Sequence, residues 1–110
     1  MCGRAFILYT KEELCSQYFD SSHWEWLIDR RLPKIPLNYN LCPSQEAPVL
    51  LMDHQASTLC MRTMRWGLVP RWAKSVKDAD RYSMINAKSE EIAAKKSYCE
   101  AYRARRCIVP

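Results

Sequence analysis

The sequence predicts a mixed fold of short strands and short helices, built as one small domain or part of one. Three observations support this. At 110 residues the chain falls within the range of a single domain. Its hydrophobic fraction of 48% is enough for a core and argues against global disorder. The apolar pattern alternates between strand-like stretches and helical starts, and no run is long enough to make a transmembrane helix.

Residues 3–8 read as a short strand. Thr10-Lys11-Glu12-Glu13 has the form of a capping box, in which the Thr10 hydroxyl accepts from the Glu13 amide while the Glu13 carboxylate reaches back. A helix to about Phe19 should follow, with Leu14, Tyr18 and Phe19 on its apolar face. Residues 22–28 suggest a second short helix. Pro33 and Pro36 should break regular structure through Asn40.

Residues 47–52 and 58–66 read as two strands joined by a turn over 53–57, a hairpin with Leu59, Met61, Thr63 and Arg65 on one face. The stretch 67–72 is a stiff loop, and 74–82 is polar and exposed. A short apolar segment over 84–87 precedes an expected helix over 89–96. Residues 107–110 look like a strand cut at its end. A buried strand rarely forms the last four residues of a domain, because chain ends are usually exposed and frayed. Two glycines are also few for a complete β-rich domain. The expectation is an N-terminal portion of something longer.

Seventeen Lys and Arg against twelve Asp and Glu give a net charge of +5, which suits a polyanionic partner. Residues 5–9 are too short and too quickly followed by charge to be a secretory signal. None of the six cysteines forms a C-x-x-C pair, and His23 and His54 are far apart in sequence, so zinc-site spacing is absent. Without an export signal, reduced thiols in a cytosol or nucleus are expected. Cys15, Cys42, Cys60, Cys99 and Cys107 read as small core residues. No pattern pairs either histidine with Cys2, so both are assigned to structure.

Cys2 is different. It is small, so removal of Met1 is expected, and that leaves an α-amine two carbons from a thiol. Such a 1,2-aminothiol condenses with an aldehyde to an imine, and the sulfur then closes a five-membered thiazolidine. The reference pKa values, about 7.7–8.0 for the amine and about 8.5 for the thiol, make both nucleophilic forms accessible near neutral pH. Arg65-Trp66-Gly67-Leu68-Val69-Pro70-Arg71-Trp72 interleaves two guanidinium groups, which can fork onto phosphate, with two indoles, which can stack on unpaired bases for roughly 1–3 kcal/mol each. Tryptophan is also usually largely buried, and Trp66 reads foremost as core. In Ile85-Asn86-Ala87-Lys88 an amide able to hold a sugar hydroxyl or a reacting oxygen lies two residues before an ammonium. Lys95, Lys96, Arg103, Arg105 and Arg106 form a basic cluster, a solvated face or a nucleic-acid footprint.

Taken in order, Met1-Cys2-Gly3-Arg4, Tyr39-Asn40 with Pro43, Arg65-Trp66-Gly67-Leu68-Val69-Pro70 with Trp72, Ile85-Asn86-Ala87 and Arg106-Cys107-Ile108-Val109-Pro110 resemble the SRAP (SOS response-associated peptidase) family. Its members include proteins that cross-link to abasic sites in single-stranded DNA. The resemblance spans essentially the whole chain. It implies an α+β fold with a twisted, barrel-like sheet, flanking short helices and a positive channel, with residues 1–110 the N-terminal portion of a single such domain. It implies a DNA-damage, SOS-response role in which processed Cys2 attacks the ring-opened aldehyde of an abasic sugar and forms a thiazolidine DNA–protein cross-link, with no cofactor and no metal. Asn86 matches the residue that positions the sugar at the cross-link. Arg4, Lys88 and Lys96 match contacts to the DNA backbone, and Asn40 lies in the loop facing the site. Pro43 and Trp72 match residues near the point where DNA strands diverge or kink.

The chain departs from the family pattern in three places. Lys88 stands where an arginine is usual, which keeps charge but loses the bidentate fork. Ala73 stands where relatives often carry a second aromatic. The sequence stops before the family's Gly-Phe-Tyr-Glu-Trp-like segment and its later histidine, the acid and base that assist ring opening and proton transfer; Glu90, Glu91 and His54 do not match those positions. The missing C-terminal part of the same domain is therefore an expected partner, together with abasic single-stranded DNA. No membrane partner is expected. The implied setting is the cytoplasm, at the nucleoid, in a bacterium, or the nucleus in a eukaryote. A thiol autopeptidase (protease, hydrolase) activity is compatible with the family, although with only Met1 before Cys2 no self-cleavage is required. The alternatives are a class II glutamine amidotransferase-like N-terminal-nucleophile hydrolase, whose glycine-rich text is absent, a non-covalent single-stranded DNA-binding module, and, more distantly, a metal-binding module, for which the ligand spacing is lacking.

Overall fold

The computed structural model describes residues 3–18, 35–55 and 57–110. The first strand, β1 (Ala5–Ile7), falls inside the expected stretch. It is followed by helix α1 (Lys11–Tyr18), which starts where the capping box requires. The Thr10 amide donates to Glu13 Oε2 at 2.7 Å, and the Glu13 amide donates to Thr10 Oγ1 at 3.3 Å. Two otherwise unpaired amides of the first turn are thereby satisfied. Glu12 and Glu13 also place negative charge at the positive end of the helix dipole. The expected helix over 22–28 lies outside the described residues.

Strand β2 (Asn38–Leu41) pairs antiparallel with β1, Ala5 opposite Leu41 and Ile7 opposite Asn38, with a register irregularity between them. Strands β3 (Glu46–Asp53) and β4 (Thr58–Arg65) form the expected hairpin, in unbroken register from Glu46 opposite Arg65 to Asp53 opposite Thr58. The turn between them is steadied by the Gln55 amide donating to Asp53 Oδ1 at 2.9 Å and by a positive φ of 51° at Ser57. On the other edge of β3, Leu50 and Ile108 exchange backbone hydrogen bonds of 2.8 Å each way. The predicted terminal strand is thus a single antiparallel bridge.

Helix α1 lays Leu14 and Cys15 against the hairpin residues Leu50 and Met61 and against Ile35, with Ile7 and Leu59 packed around them. Leu14, Leu50 and Met61 are at most 1% exposed, so each gains close to the full transfer free energy of its side chain, about 1.5–3 kcal/mol. Leu50→Ala, at the centre of this cluster, is expected to cost about 2–5 kcal/mol because the cavity adds to the lost transfer energy. Urea unfolding followed by circular dichroism measures it, and a loss under 1 kcal/mol would mean that the cluster is not the organising core.

The expected α+β class is met by short helices and small antiparallel sheets. The described strands form two separate two-stranded ladders, β1–β2 and β3–β4, and no barrel closes among the described residues; barrels with a side-chain-filled interior take about five to eight strands, more than these four. Other expectations are corrected. Asn40 lies in β2 and not in a loop, because Pro36 halts regular structure only as far as Leu37. Residues 89–96 do not form a regular helix. Their backbone bonds mix i→i−4 (Ile92 to Lys88, 3.0 Å) with i→i−3 (Ala94 to Glu91, 3.0 Å), and only Ile92 is partly buried there, so little packing fixes a helix. Regular helix appears later, in α3 (Cys99–Ala104).

The polar stretch 74–82 carries helix α2 (Val76–Asp80), capped by Ser75 Oγ accepting from the Asp78 amide at 3.1 Å. Ser75-x-x-Asp78 is the sequence signature of that cap. Of the cysteines, Cys15 and Cys60 are buried, Cys42 and Cys99 half-buried, and Cys107 exposed, so the core assignment fails at Cys107, which faces outward beside the Ile108 bridge. No disulfide forms among the described residues. Burial pushes the Cys15 thiol up, with Lys11 pulling weakly the other way, which keeps it protonated and unreactive.

Candidate nucleic-acid interface and reaction site

Cys2 lies outside the described residues. Arg4, two positions on, leads into β1, and the β1–β2 pairing carries it to the strand holding Asn40. The Arg4 Nη1 donates to Asn40 Oδ1 at 3.0 Å and also meets Cys42 Sγ. Asn40 is held in turn by its own amide donating to Asn38 Oδ1 at 3.0 Å. The Arg4 guanidinium is therefore fixed at one corner, and its other donors have no partner among the described residues.

Cys42-Pro43-Ser44-Gln45 links β2 to β3 as a tight turn. The Gln45 amide donates to the Cys42 carbonyl at 3.2 Å, and Ser44 takes a φ of 75°. Proline second and a positive φ third is what a type II turn requires. The turn is bonded to the end of β4: the Ser44 amide donates to the Trp66 carbonyl at 2.8 Å and the Trp66 amide to the Gln45 carbonyl at 2.9 Å. Arg65 closes the arrangement from behind. Its Nη2 donates to Ser44 Oγ at 2.7 Å and pairs with the Asp80 carboxylate of α2. Gly67 makes room for this. At its φ of 131° a side chain would be strained, and a Cβ would lie 2.9 Å from Arg65 Nη1, a group that cannot swing aside without releasing Ser44 or Asp80. The Arg65 guanidinium, a phosphate candidate by sequence, is occupied within the fold.

From Gly67 the chain turns towards Asn86, the Leu68 amide donating to the Met84 carbonyl at 3.0 Å. Asn86 is exposed and lines a cavity of about 380 Å³ whose walls include Trp66, Leu68, Ile85, Tyr98 and Tyr102. That volume lies in the range of small-molecule sites. A second cavity of about 260 Å³ opens beside Pro43, Ser44, Arg65 and Asp80. The two share Trp66, Gly67, Leu68, Met84 and Ile85 as a common wall. Arg4 with Asn40, the Pro43 turn, and Asn86 are thus carried on one framework that runs through Trp66.

Trp72, Lys88 and Lys96 lie off those cavities, whereas Arg106 of the basic cluster also lines the Asn86 cavity. The Trp72 ring stands edge-on to Tyr82, centroids 5.2 Å apart and planes at 85°, a favourable aromatic geometry. Both rings are exposed, 40% for Trp72 and 56% for Tyr82, so together they present a two-ring surface. Tyr82 was not singled out by sequence, and it supplies aromatic surface that Ala73 does not. Lys88 is exposed and 3.7 Å from Glu91, which also meets Lys95 at 3.7 Å. Lys96 is exposed on the same turn. The basic cluster is partly compensated: Arg105 pairs with Glu100 at 2.6 Å, and Arg106 lies over the Tyr102 ring at 5.5 Å. Arg103, Arg105 and Arg106 line a groove of about 640 Å³ with His54, Met52 and Met64. His54 therefore lines the arginine groove and not the Asn86 cavity. Among the described residues no group of histidine, cysteine and carboxylate side chains could hold a metal ion, and no helix is long and apolar enough to cross a membrane.

The model of the SOS response associated peptidase (SRAP) family matches residues 1–110. The abasic site processing protein YoqW of Bacillus subtilis (strain 168) is 36% identical over 112 residues, covering 100% of this chain and 45% of the relative. YoaM, an abasic site processing protein of the same organism, is 37% identical over 112 residues, covering 100% of this chain and 44% of the relative. The abasic site processing protein HMCES of Rattus norvegicus is 32% identical over 120 residues, covering 99% of this chain and 34% of the relative. The chain thus spans less than half the length of these curated relatives.

Proposed function

Because this chain belongs to the SOS response associated peptidase (SRAP) family, we propose that it is the N-terminal portion of an abasic-site processing domain and that processed Cys2 captures the aldehyde of an abasic site in single-stranded DNA. The α-amine of Cys2 adds to the aldehyde carbon and water leaves, giving an imine. The thiolate then adds to the same carbon, the imine nitrogen takes a proton, and a thiazolidine joins protein to DNA. Asn86 holds the opened sugar in the cavity beside Trp66. Arg4, with Lys88 and Lys96, carries phosphate, and the Pro43 turn and the Trp72 ring meet bases next to the lesion. The acid and histidine that relatives carry later in their sequences act as proton donor and acceptor from the remaining part of the domain.

The observation that carries this reading is the continuous framework from Arg4 through the Pro43 turn and Trp66 to Asn86. It gathers Arg4 and Asn86, more than eighty positions apart, on one scaffold, and Arg4 follows Cys2 by two residues in the sequence.

Intact-mass spectrometry tests it. Met-processed chain is incubated with a single-stranded oligonucleotide bearing one abasic site. The expected product is protein plus DNA minus one water, formed with the natural lesion and not with a tetrahydrofuran analogue that has no aldehyde. Binding without any adduct, from folded protein, would leave the non-covalent single-stranded DNA-binding module.

A further inference from the structure

We infer that the hydroxyl of Tyr98 is a positioning group for Asn86, setting where the Asn86 side chain meets the opened sugar; this rests on the cross-linking reading above. Residues 84–88 belong to no helix or strand, so the place of Asn86 is fixed by bonds from outside the segment. Upstream, the Met84 carbonyl accepts from the Leu68 amide at 3.0 Å. Downstream, the Lys88 carbonyl accepts from the Ile92 amide at 3.0 Å. At Asn86 itself, the backbone carbonyl accepts from the Tyr98 hydroxyl at 2.9 Å.

Tyr98 is a firm anchor for such a bond. Its amide donates to the Lys95 carbonyl at 2.9 Å, and its carbonyl accepts from the Tyr102 amide at 2.8 Å at the start of α3. The ring is half-buried and forms part of the same cavity wall as Asn86. A phenol reaching across from a helix start to a loop carbonyl fixes the loop at the residue whose side chain does the work. A misplacement of even 1 Å at such a group can slow a reaction about 100-fold, and one neutral hydrogen bond is worth about 1 kcal/mol, or about fivefold in rate.

Tyr98→Phe removes the hydroxyl and keeps the ring. The rate of adduct formation at saturating abasic single-stranded DNA is expected to fall about 5–10-fold. Affinity for the tetrahydrofuran analogue should hold, the thermal midpoint should fall by no more than the few degrees that one hydrogen bond is worth, and the Asn86 carbonyl chemical shift should move. In an Asn86→Ala background the same change should have no further effect, because a group that acts through Asn86 has nothing left to position. Adduct formation by wild type with an unchanged rate in Tyr98→Phe overturns this inference alone. An equal loss in the Asn86→Ala background, or a fall in affinity and melting that accounts for the slower rate, assigns Tyr98 to general stability and overturns it as well. No adduct from wild type overturns the cross-linking reading and this inference with it.

Discussion

Cys2→Ala is expected to abolish the SDS-resistant adduct while leaving non-covalent affinity for abasic single-stranded DNA within about twofold, a change of under 0.5 kcal/mol. Alanine is small enough for Met1 still to be removed, so the variant keeps a terminal amine and can still form an imine. An imine hydrolyses reversibly, and without a sulfur two carbons away no ring closes to trap it. The contacts proposed to hold DNA lie elsewhere. Arg4 is fixed by Asn40, the Pro43 turn by Trp66 and Arg65, and the Trp72 ring by Tyr82; none depends on the thiol. The measurement is a denaturing gel beside a fluorescence-anisotropy titration. A stable adduct from Cys2→Ala would place the nucleophile elsewhere, with a lysine such as Lys88 the next to be tested.

Adding, as a second polypeptide in excess, the later family segment that carries the acid and the histidine is expected to raise the cross-linking rate about 10²–10⁴-fold, the usual contribution of a positioned general acid or base. The described residues offer no substitute. Glu91 is shared between Lys88 and Lys95. His54 lines the arginine groove and not the Asn86 cavity. Such a segment would have apolar surface to cover: Phe6, Tyr39, Ile108 and Val109 are each more than half exposed, and they lie on or beside strands whose outer edges pair with no further strand among the described residues. Single-turnover rates with and without the added polypeptide decide the matter. Equal rates, with association shown by gel filtration, would mean that the aminothiol needs no acid–base assistance from that segment.

Much of the local structure was legible in the sequence. Thr10 and Glu13 announce the start of α1 because the capping box is a contact between residues three apart. The hairpin is announced by two apolar runs and a short polar turn between them, and its register follows from the turn. Expectations failed where local preference was weak and packing decided. Residues 89–96 have the composition of a helix but bury little beyond Ile92, and the chain takes irregular turns until α3. The capping pattern Ser75-x-x-Asp78 is written in the sequence inside a stretch whose composition is otherwise that of a polar loop.

The candidate site divides in the same way. The proposed covalent chemistry rests on the sequence alone, since an amine and a thiol on one residue react with an aldehyde wherever the chain places them. The sequence also determined the family, because the ordered short segments survive as text. Only the tertiary structure decided which groups meet: Arg4 with Asn40, Tyr82 with Trp72, Arg65 turned inward to Ser44 and Asp80, and the Tyr98 hydroxyl with the Asn86 backbone carbonyl. Those partners are 10 to 36 positions apart. Neither the 3.6-residue nor the two-residue period carries information over such separations. The contacts follow from how α1 packs on the hairpin and how the Trp66 segment binds the Pro43 turn, and so from the summed burial and hydrogen bonding of the whole chain.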